Sequence, residues 1–527
     1  MDVATEAPDD ISVETGPEAK RRVDWRFRAA VAAILVAAFA VRVIGVTWHL
    51  PYVYHADEPT NYSVVRVMML RRSLDPRFFH YPSLFFYLYG AVIASWFEFG
   101  HLLGWFHSVG TMPRPAMETA GTGVMRDGSL LIAARMLTVV LSTATVGVGM
   151  LLCRLITRRR SALLLAGALL AFNPTAVRNA HWFTPDSLAA FMATAAIVAA
   201  VVVAKRPLLR HYVIAGVVIG LAVSAKYNVV LVAVALVVAH LVARREHKVH
   251  SLYLLYAAGA AIAAFLVTSP YVLFDAHRFW TDFTFEIHHY NTGHPGYEGD
   301  SPQTNANWLW ASVGPALLLL FGLLVTPARV RRLCWVPLSF VALYFVAVSA
   351  PTVRFERNLT PLLPALLVVI AIVGVEIFEW ARAAVRDTLA VRVLGGLVAI
   401  AVVAWPAIFA VREANDALTD YKAAARSWIE QHVPAQSNVV LDGYSPWLDP
   451  TQYNVVGSQL VLRNLAAARA SNPDAIVVTQ AGSGRYLSGY DRDPVVVENL
   501  ASLEADACQQ ASFNKGESRI WVFRLHC

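Results

Sequence analysis

Two adjacent carboxylates, Asp57 and Glu58, stand in the segment "YVYHADEPTNYSVVRVMMLRRSLDPRFFHYPSL" (52–84) with His55, His80 and several aromatic side chains. A carboxylate half-shielded from water can act as a general base on a hydroxyl brought to it. A cation or donor beside a departing oxygen stabilises the charge that develops there, and His80, Arg72 and Arg77 are candidates if the loop folds back. The same residues have a plainer use. An acid followed by Pro59 and an amphipathic run is also how a helix start is written, with either carboxylate as the cap. His55, Asp57, Glu58 and His80 could share a metal, but their spacing matches no ligand signature.

Three more stretches carry charge where little is expected. In "NPTAVRNAHWFTPDSLAAF", Asp186 opens an apolar run beside Arg178, His181 and Trp182, and either Thr184 or Asp186 can cap it. In "GLAVSAKYNVV", Lys226 stands alone between two apolar runs. An ionisable group at the edge of a bilayer snorkels to lipid phosphate or finds an anion of its own. "VRFERNLTPLLPAL" sets Arg354, Glu356 and Arg357 ahead of another apolar run.

The elements that must position these residues are membrane helices. Of 527 residues, 57% are hydrophobic and 15% charged, and the mean hydropathy is +0.49. Such a chain is too apolar for a soluble globule. Apolar stretches long enough to cross a bilayer recur from 29 to 411 and then shorten. The fold class is an α-helical polytopic membrane protein with a small C-terminal α/β domain. The net charge of +7 falls in short links between apolar runs, which accounts for it by topology and leaves no nucleic-acid partner.

Lys and Arg in short loops mark the cytoplasmic side. If 82–105 does not cross, the spans are 28–47, 129–153, 161–178, 187–204, 212–225, 227–243, 252–270, 307–326, 333–349, 358–380 and 391–411. The links "RLITRRR", "KRPLLR", "ARREHK", "ARVRR" and "WARAAVRDTLAVR" then all lie inside. The run 82–105 becomes an aromatic-rich helix at the outer interface. The protein divides into a disordered cytoplasmic tail (1–27), a membrane domain of about eleven spans (28–411) with a first outer loop at 48–128, and an extracytoplasmic α/β domain (412–527). That placement is in the cytoplasmic membrane with the N-terminus inside. It makes a Cys508–Cys527 disulfide reasonable. The strand-like pieces of the last domain are "SNVVLDGY", "DAIVVTQ" and "RIWVFRL".

The ordered set "HADE", "FFHYPSLFFYL", "AARMLTVVLS", "NPTAVRNAHWFTPDSLAAF", "GLAVSAKYN" and "RNLTPLLPALLVVIA" resembles the bacterial relatives of protein O-mannosyltransferases and aminoarabinose transferases. These are C-type (GT-C) membrane glycosyltransferases with polyprenyl-phosphate sugar donors, and the resemblance covers roughly 28–380. It implies an inverting displacement at the outer face, with Asp57 as base and Glu58 supporting it or the fold. Asp186 would bind donor or acceptor, and Lys226 and Arg357 would hold the lipid phosphate. His55, His80, Tyr81, Arg135 and His181 complete the implied substrate-binding set. Aminoarabinose transferases show "KPP" where this chain has "HYP", so their sugar specificity does not carry over. The implied partners are a polyprenyl-phosphate-linked sugar donor, a protein, lipid or glycan acceptor, and membrane lipids. No cofactor is assigned, and a divalent metal is left open. The competing classes are a transporter or polyprenyl-lipid flippase, disfavoured because polar residues gather at one face instead of the midplane, and a membrane scaffold.

Overall fold

A computed structural model describes residues 25–112, 116–119, 122–125, 127–293, 299–385, 388–487, 492–515 and 518–527. The expected N-terminal tail lies almost wholly outside these residues. Each predicted span falls on a helix or a helix pair. Seven described helices are long and apolar enough to cross a membrane by length and composition, and four shorter apolar helices accompany them. Ser83–Leu102, assigned to the interface by loop charge, is among the seven.

At the centre runs Leu363–Val385, buried without a gap from Leu363 to Val373. A helix apolar all round must be enclosed by others. Leu209–Ala225 and Leu252–Thr268 meet backbone to backbone: a Cβ on Gly216 would come within 2.1 Å of the Ala257 carbonyl, and one on Gly220 within 2.2 Å of the Ala261 carbonyl. That contact fixes the end of the helix from which Lys226 emerges.

Two expected spans are interrupted. The segment 161–178 is a helix only over Arg160–Ala171, because Asn173 and Pro174 start a second, short helix, Pro174–Asn179. Pro cannot donate the backbone bond that continuation needs. The carbonyls of Leu170 and Ala171 at this helix end take hydrogen bonds of 3.0 and 2.7 Å from Arg42, a buried cation in Trp25–Val43. The segment 307–326 is the α-helix Ser301–Val313 followed by a 3₁₀ stretch, Gly314–Leu324.

After the first helix, Asp57–Arg71 is a helix and Tyr52–Val53 joins a small antiparallel sheet with Thr122–Val124 and Ala116–Thr119. The helix buries Glu58, Asn61, Tyr62, Val65 and Arg66.

The last membrane helix runs to Asp416, past the expected boundary at 411. Beyond it, five strands form one sheet in the order Asn454–Gly457, Asn438–Leu441, Ala475–Thr479, Ser518–Arg524, Gln509–Lys515. The first two pairings are parallel and the others antiparallel. Alternate residues feed two cores: Val439, Leu441 and Val477 pack with Ala425 and Ile429 of Tyr421–His432, while Val440, Ile476 and Val478 pack with Leu465, Val496 and Leu503. Cys508 and Cys527 are bonded, and Cys153 and Cys334 are free and buried.

Candidate active site

The two carboxylates of the first loop point to different places. Glu58 is fully buried and receives Arg135 with both oxygens, from Nε at 2.8 Å and from Nη2 at 2.7 Å. Its Oε1 also accepts the Phe183 amide at 2.8 Å. Arg135 Nη1 in turn donates to the carbonyls of Val46 and Trp48 at 3.1 and 3.0 Å. One buried ion pair thus ties the end of the first span, the start of the outer helix, Ser129–Ile156 and the 180–185 turn. Arg135, expected to bind substrate, and Glu58, expected to support the base or the fold, are both committed to this anchor because each has its polar atoms engaged inside the protein. Neither Asp57 nor Glu58 caps the helix, whose cap position, Ala56, makes no side-chain bond.

Asp57 faces a cavity. Its Oδ2 accepts Arg357 Nη1 at 2.6 Å and the Tyr81 hydroxyl at 3.1 Å, and Oδ1 has no hydrogen-bond partner among the described residues. Burial pushes this carboxyl up, but the Arg357 guanidinium, His55 and the Tyr81 hydroxyl together bring it below the ordinary carboxylate value. Burial holds the His55 imidazole below its ordinary value, on the neutral side. Its Nδ1 lies 3.3 Å from the Asp57 amide and its Nε2 3.5 Å from Arg357.

A second ion pair repeats the pattern. Lys226 Nζ donates to Asp186 Oδ1 at 2.7 Å and to Asn358 Oδ1 at 3.0 Å. Asn358 follows Arg357 in the 3₁₀ turn Glu356–Leu359, so one turn carries a partner for each pair. Asp186 is the first residue of its helix and caps nothing; the cap position is Pro185, without a side-chain bond. The turn is itself held by Arg178, which pairs with Glu356 and with Glu413 of the last membrane helix.

Two chambers meet at the contact between Asp57 and Tyr81. One, of about 380 Å³, is lined by Trp48, Tyr54, His55, Asp57, Trp182, Trp308 and Arg357 among others, and reaches Tyr444 of the C-terminal domain. The other, of about 400 Å³, mixes polar residues, among them Tyr81, Lys226, Asn228, Tyr290 and Asn358, with the apolar side chains of Val230, Phe283, Ile287, Ala347 and Val348. Tyr81, a wall of the second, touches Asp57, a wall of the first. His80 lies in the second chamber, with Nδ1 2.5 Å from Glu286 of Ala276–Thr292.

The structure therefore gathers His55, Asp57, Tyr81, Asp186, Lys226 and Arg357 in one place, with His80 close by. His181 is excluded: it is buried against Gly45, where a Cβ would come within 2.6 Å of its ring, and it lines neither chamber. Sequence reasoning missed Asn358, Glu286 and Tyr444. Asn358 is one residue beyond a chosen cation, which was the available signal; the other two come from distant segments with none. Among the described residues no three His, Cys, Asp or Glu side chains are arranged to hold a metal ion.

Residues 119–274 match the family described as dolichyl-phosphate-mannose-protein mannosyltransferase. No curated protein matches the chain. Among solved structures, ArnT from Cupriavidus metallidurans bound to undecaprenyl phosphate is similar over 94% of this chain and 97% of that one, with 15% identity and a TM-score of 0.51. The fold is that of the GT-C membrane glycosyltransferases. The apo oligosaccharyltransferase of Archaeoglobus fulgidus has the same GT-C architecture over 90% of this chain and 72% of its own, at 13% identity and a TM-score of 0.52. Within the GT-C fold of the present chain, both ion pairs lie where loops between helices converge, which is where a rigid helical scaffold leaves side chains free for chemistry.

Proposed function

We propose that this chain is a glycosyltransferase that moves a sugar from a polyprenyl-phosphate donor to an acceptor hydroxyl, with Asp57 as the base, at the outer face of the cytoplasmic membrane. The observation that carries this is Asp57, a carboxylate with an open oxygen, on the wall of one chamber and joined through Tyr81 to a second that holds Lys226 and several apolar side chains. The donor occupies the chamber with the apolar wall, its phosphate directed at Lys226, Tyr81 and Arg357. ArnT, bound to undecaprenyl phosphate, has the same fold. The acceptor enters from the chamber lined by tryptophans.

In the reaction the acceptor oxygen attacks the anomeric carbon from the face opposite the phosphate. The new C–O bond forms as the bond to the phosphate oxygen breaks, the anomeric configuration inverts, and the acceptor proton passes to Asp57 Oδ1. Negative charge grows on the departing phosphate. Arg357 and Lys226 are already in place to meet it, which stabilises the transition state more than the ground state. Arg357 is shared: as it turns toward the phosphate, its hold on Asp57 weakens and the carboxylate becomes a better base. Glu58 and Arg135 keep the loop that carries Asp57 in position.

The test is Asp57→Asn in purified protein with labelled undecaprenyl-phosphate sugar and an envelope acceptor fraction. General-base loss lowers transfer about 10²- to 10⁴-fold, while protection of the protein by undecaprenyl phosphate against heat is retained. Transfer at the unsubstituted rate would rule out Asp57 as the base.

A further inference from the structure

We propose that the chamber beside Asp57 binds a carbohydrate acceptor, and that Tyr444 of the C-terminal domain is the wall that determines its specificity. This rests on the glycosyltransferase reading above and assigns the acceptor's chemical class.

Six aromatic residues contribute to the lining of the chamber. Trp48, Trp182 and Trp308 are half-buried and come from three separate segments; Tyr54, Phe355 and Tyr444 complete the aromatic lining. Between the rings stand His55, Asp57 and Arg357, which supply donors and acceptors. A sugar has that same mixed surface, with C–H faces that lie on aromatic rings and a rim of hydroxyls that both donate and accept. At about 380 Å³ the space suits a compact ligand. Strand addition, one way of holding an extended polypeptide through main-chain hydrogen bonds, is not offered here, because no residue lining the chamber belongs to a strand.

Tyr444 is held there at a cost in backbone geometry. Its φ is 65°, in the left-handed region that L side chains rarely adopt and that glycine enters freely. The turn is locked by the carboxylate of Asp442, which accepts the amides of Gly443, Val461, Thr479 and Ser483 at 2.9, 3.3, 3.2 and 2.7 Å. Thr479 Oγ1 donates to the Gly443 carbonyl at 2.5 Å. On the other side of Tyr444 the Trp447 amide donates to the Tyr54 hydroxyl at 3.3 Å, fastening the turn to the loop that bears Asp57. A strained tyrosine in a turn fixed by six hydrogen bonds of its neighbours, and set at a cavity wall, is a placed side chain.

Saturation-transfer NMR on the full-length protein in lipid nanodiscs tests this, with short α- and β-linked oligosaccharides of hexoses and pentoses as probes and a Ser/Thr-rich peptide for comparison. At least one oligosaccharide receives saturation in the unsubstituted protein. Tyr444→Gly weakens that binding roughly tenfold or more, and Tyr444→Phe, which keeps the ring, restores it. Glycine relieves the backbone at this position, so the loss is not one of folding, and thermal protection by undecaprenyl phosphate checks this directly. Saturation of the peptide alone, of no oligosaccharide, or of an oligosaccharide equally in Tyr444→Gly overturns the assignment. If undecaprenyl phosphate protects the protein in those cases, only the acceptor class fails. If it protects neither protein, the glycosyltransferase reading fails with it.

Discussion

Asp57 and Glu58 are neighbours in the chain with opposite fates. Because successive helical residues face about 100° apart, one looks into the chamber and the other into the protein. Glu58 meets Arg135 with neither exposed, and breaking such a pair strands a buried charge. Glu58→Gln is expected to cost about 3–5 kcal/mol of stability, seen as a lowered thermal midpoint in detergent, whereas Asp57→Asn leaves the midpoint nearly unchanged. Equal destabilisation by the two would show that Asp57 is a structural residue as well. Since Arg357, His55 and Tyr81 keep the Asp57 carboxyl below its ordinary value after the cost of burial, its charge persists from neutral pH into the acid range.

Among elements, the contact between the C-terminal domain and the strand Tyr52–Val53 matters most, because that strand leads directly to His55 and Asp57. Lys422, in Tyr421–His432, sits 3.8 Å from the centre of the Tyr54 ring, and Arg426 lies 4.1 Å from that of Tyr52. His49 reaches Asp420 at 2.9 Å. Burial brings the Lys422 amine down from 10.5 to about 7, with Asp420 opposing and Lys515 assisting. The unfolded chain keeps this proton up to about 10.5, the folded one only up to about 7. Between those values the unfolded state binds more protons, so Lys422 makes stability rise with pH. Thermal melts of the unsubstituted protein and Lys422→Met should therefore show a difference that changes between pH 7 and 10 and is constant below 7. A constant difference across the whole range would mean that the amine titrates alike in both states.

For the whole molecule, loop charge and helix length disagree about Ser83–Leu102. It is apolar enough to span, yet counting it as a span would place every later basic link outside. We propose that it lies at the outer interface, with the C-terminal domain on the same side. His107→Cys is then labelled by a membrane-impermeant maleimide in intact cells, and a phosphatase fused after Cys527 is active. Labelling only after lysis, with a silent fusion, would reverse the orientation.

The sequence by itself determined the membrane class, the places of the apolar helices, the α/β character of the last domain and a short list of charged residues between the apolar runs. Those features follow from local hydropathy and charge, which a bilayer reads segment by segment. It was also enough to single out Asp57, Asp186, Lys226 and Arg357. Two strands, Asn454–Gly457 and Gln509–Lys515, went unseen because they are short or polar and lie at the edges of the sheet, so they carry no buried apolar run. Tertiary structure alone decided the pairing: Glu58 to Arg135, Asp57 to Arg357 and Asp186 to Lys226. Partners 40 to about 300 residues apart are joined by how helices stack, and no local pattern encodes which buried charge faces which. The same packing sent His181 behind Gly45 and brought Tyr444 to the chamber from a domain that begins after the last membrane helix.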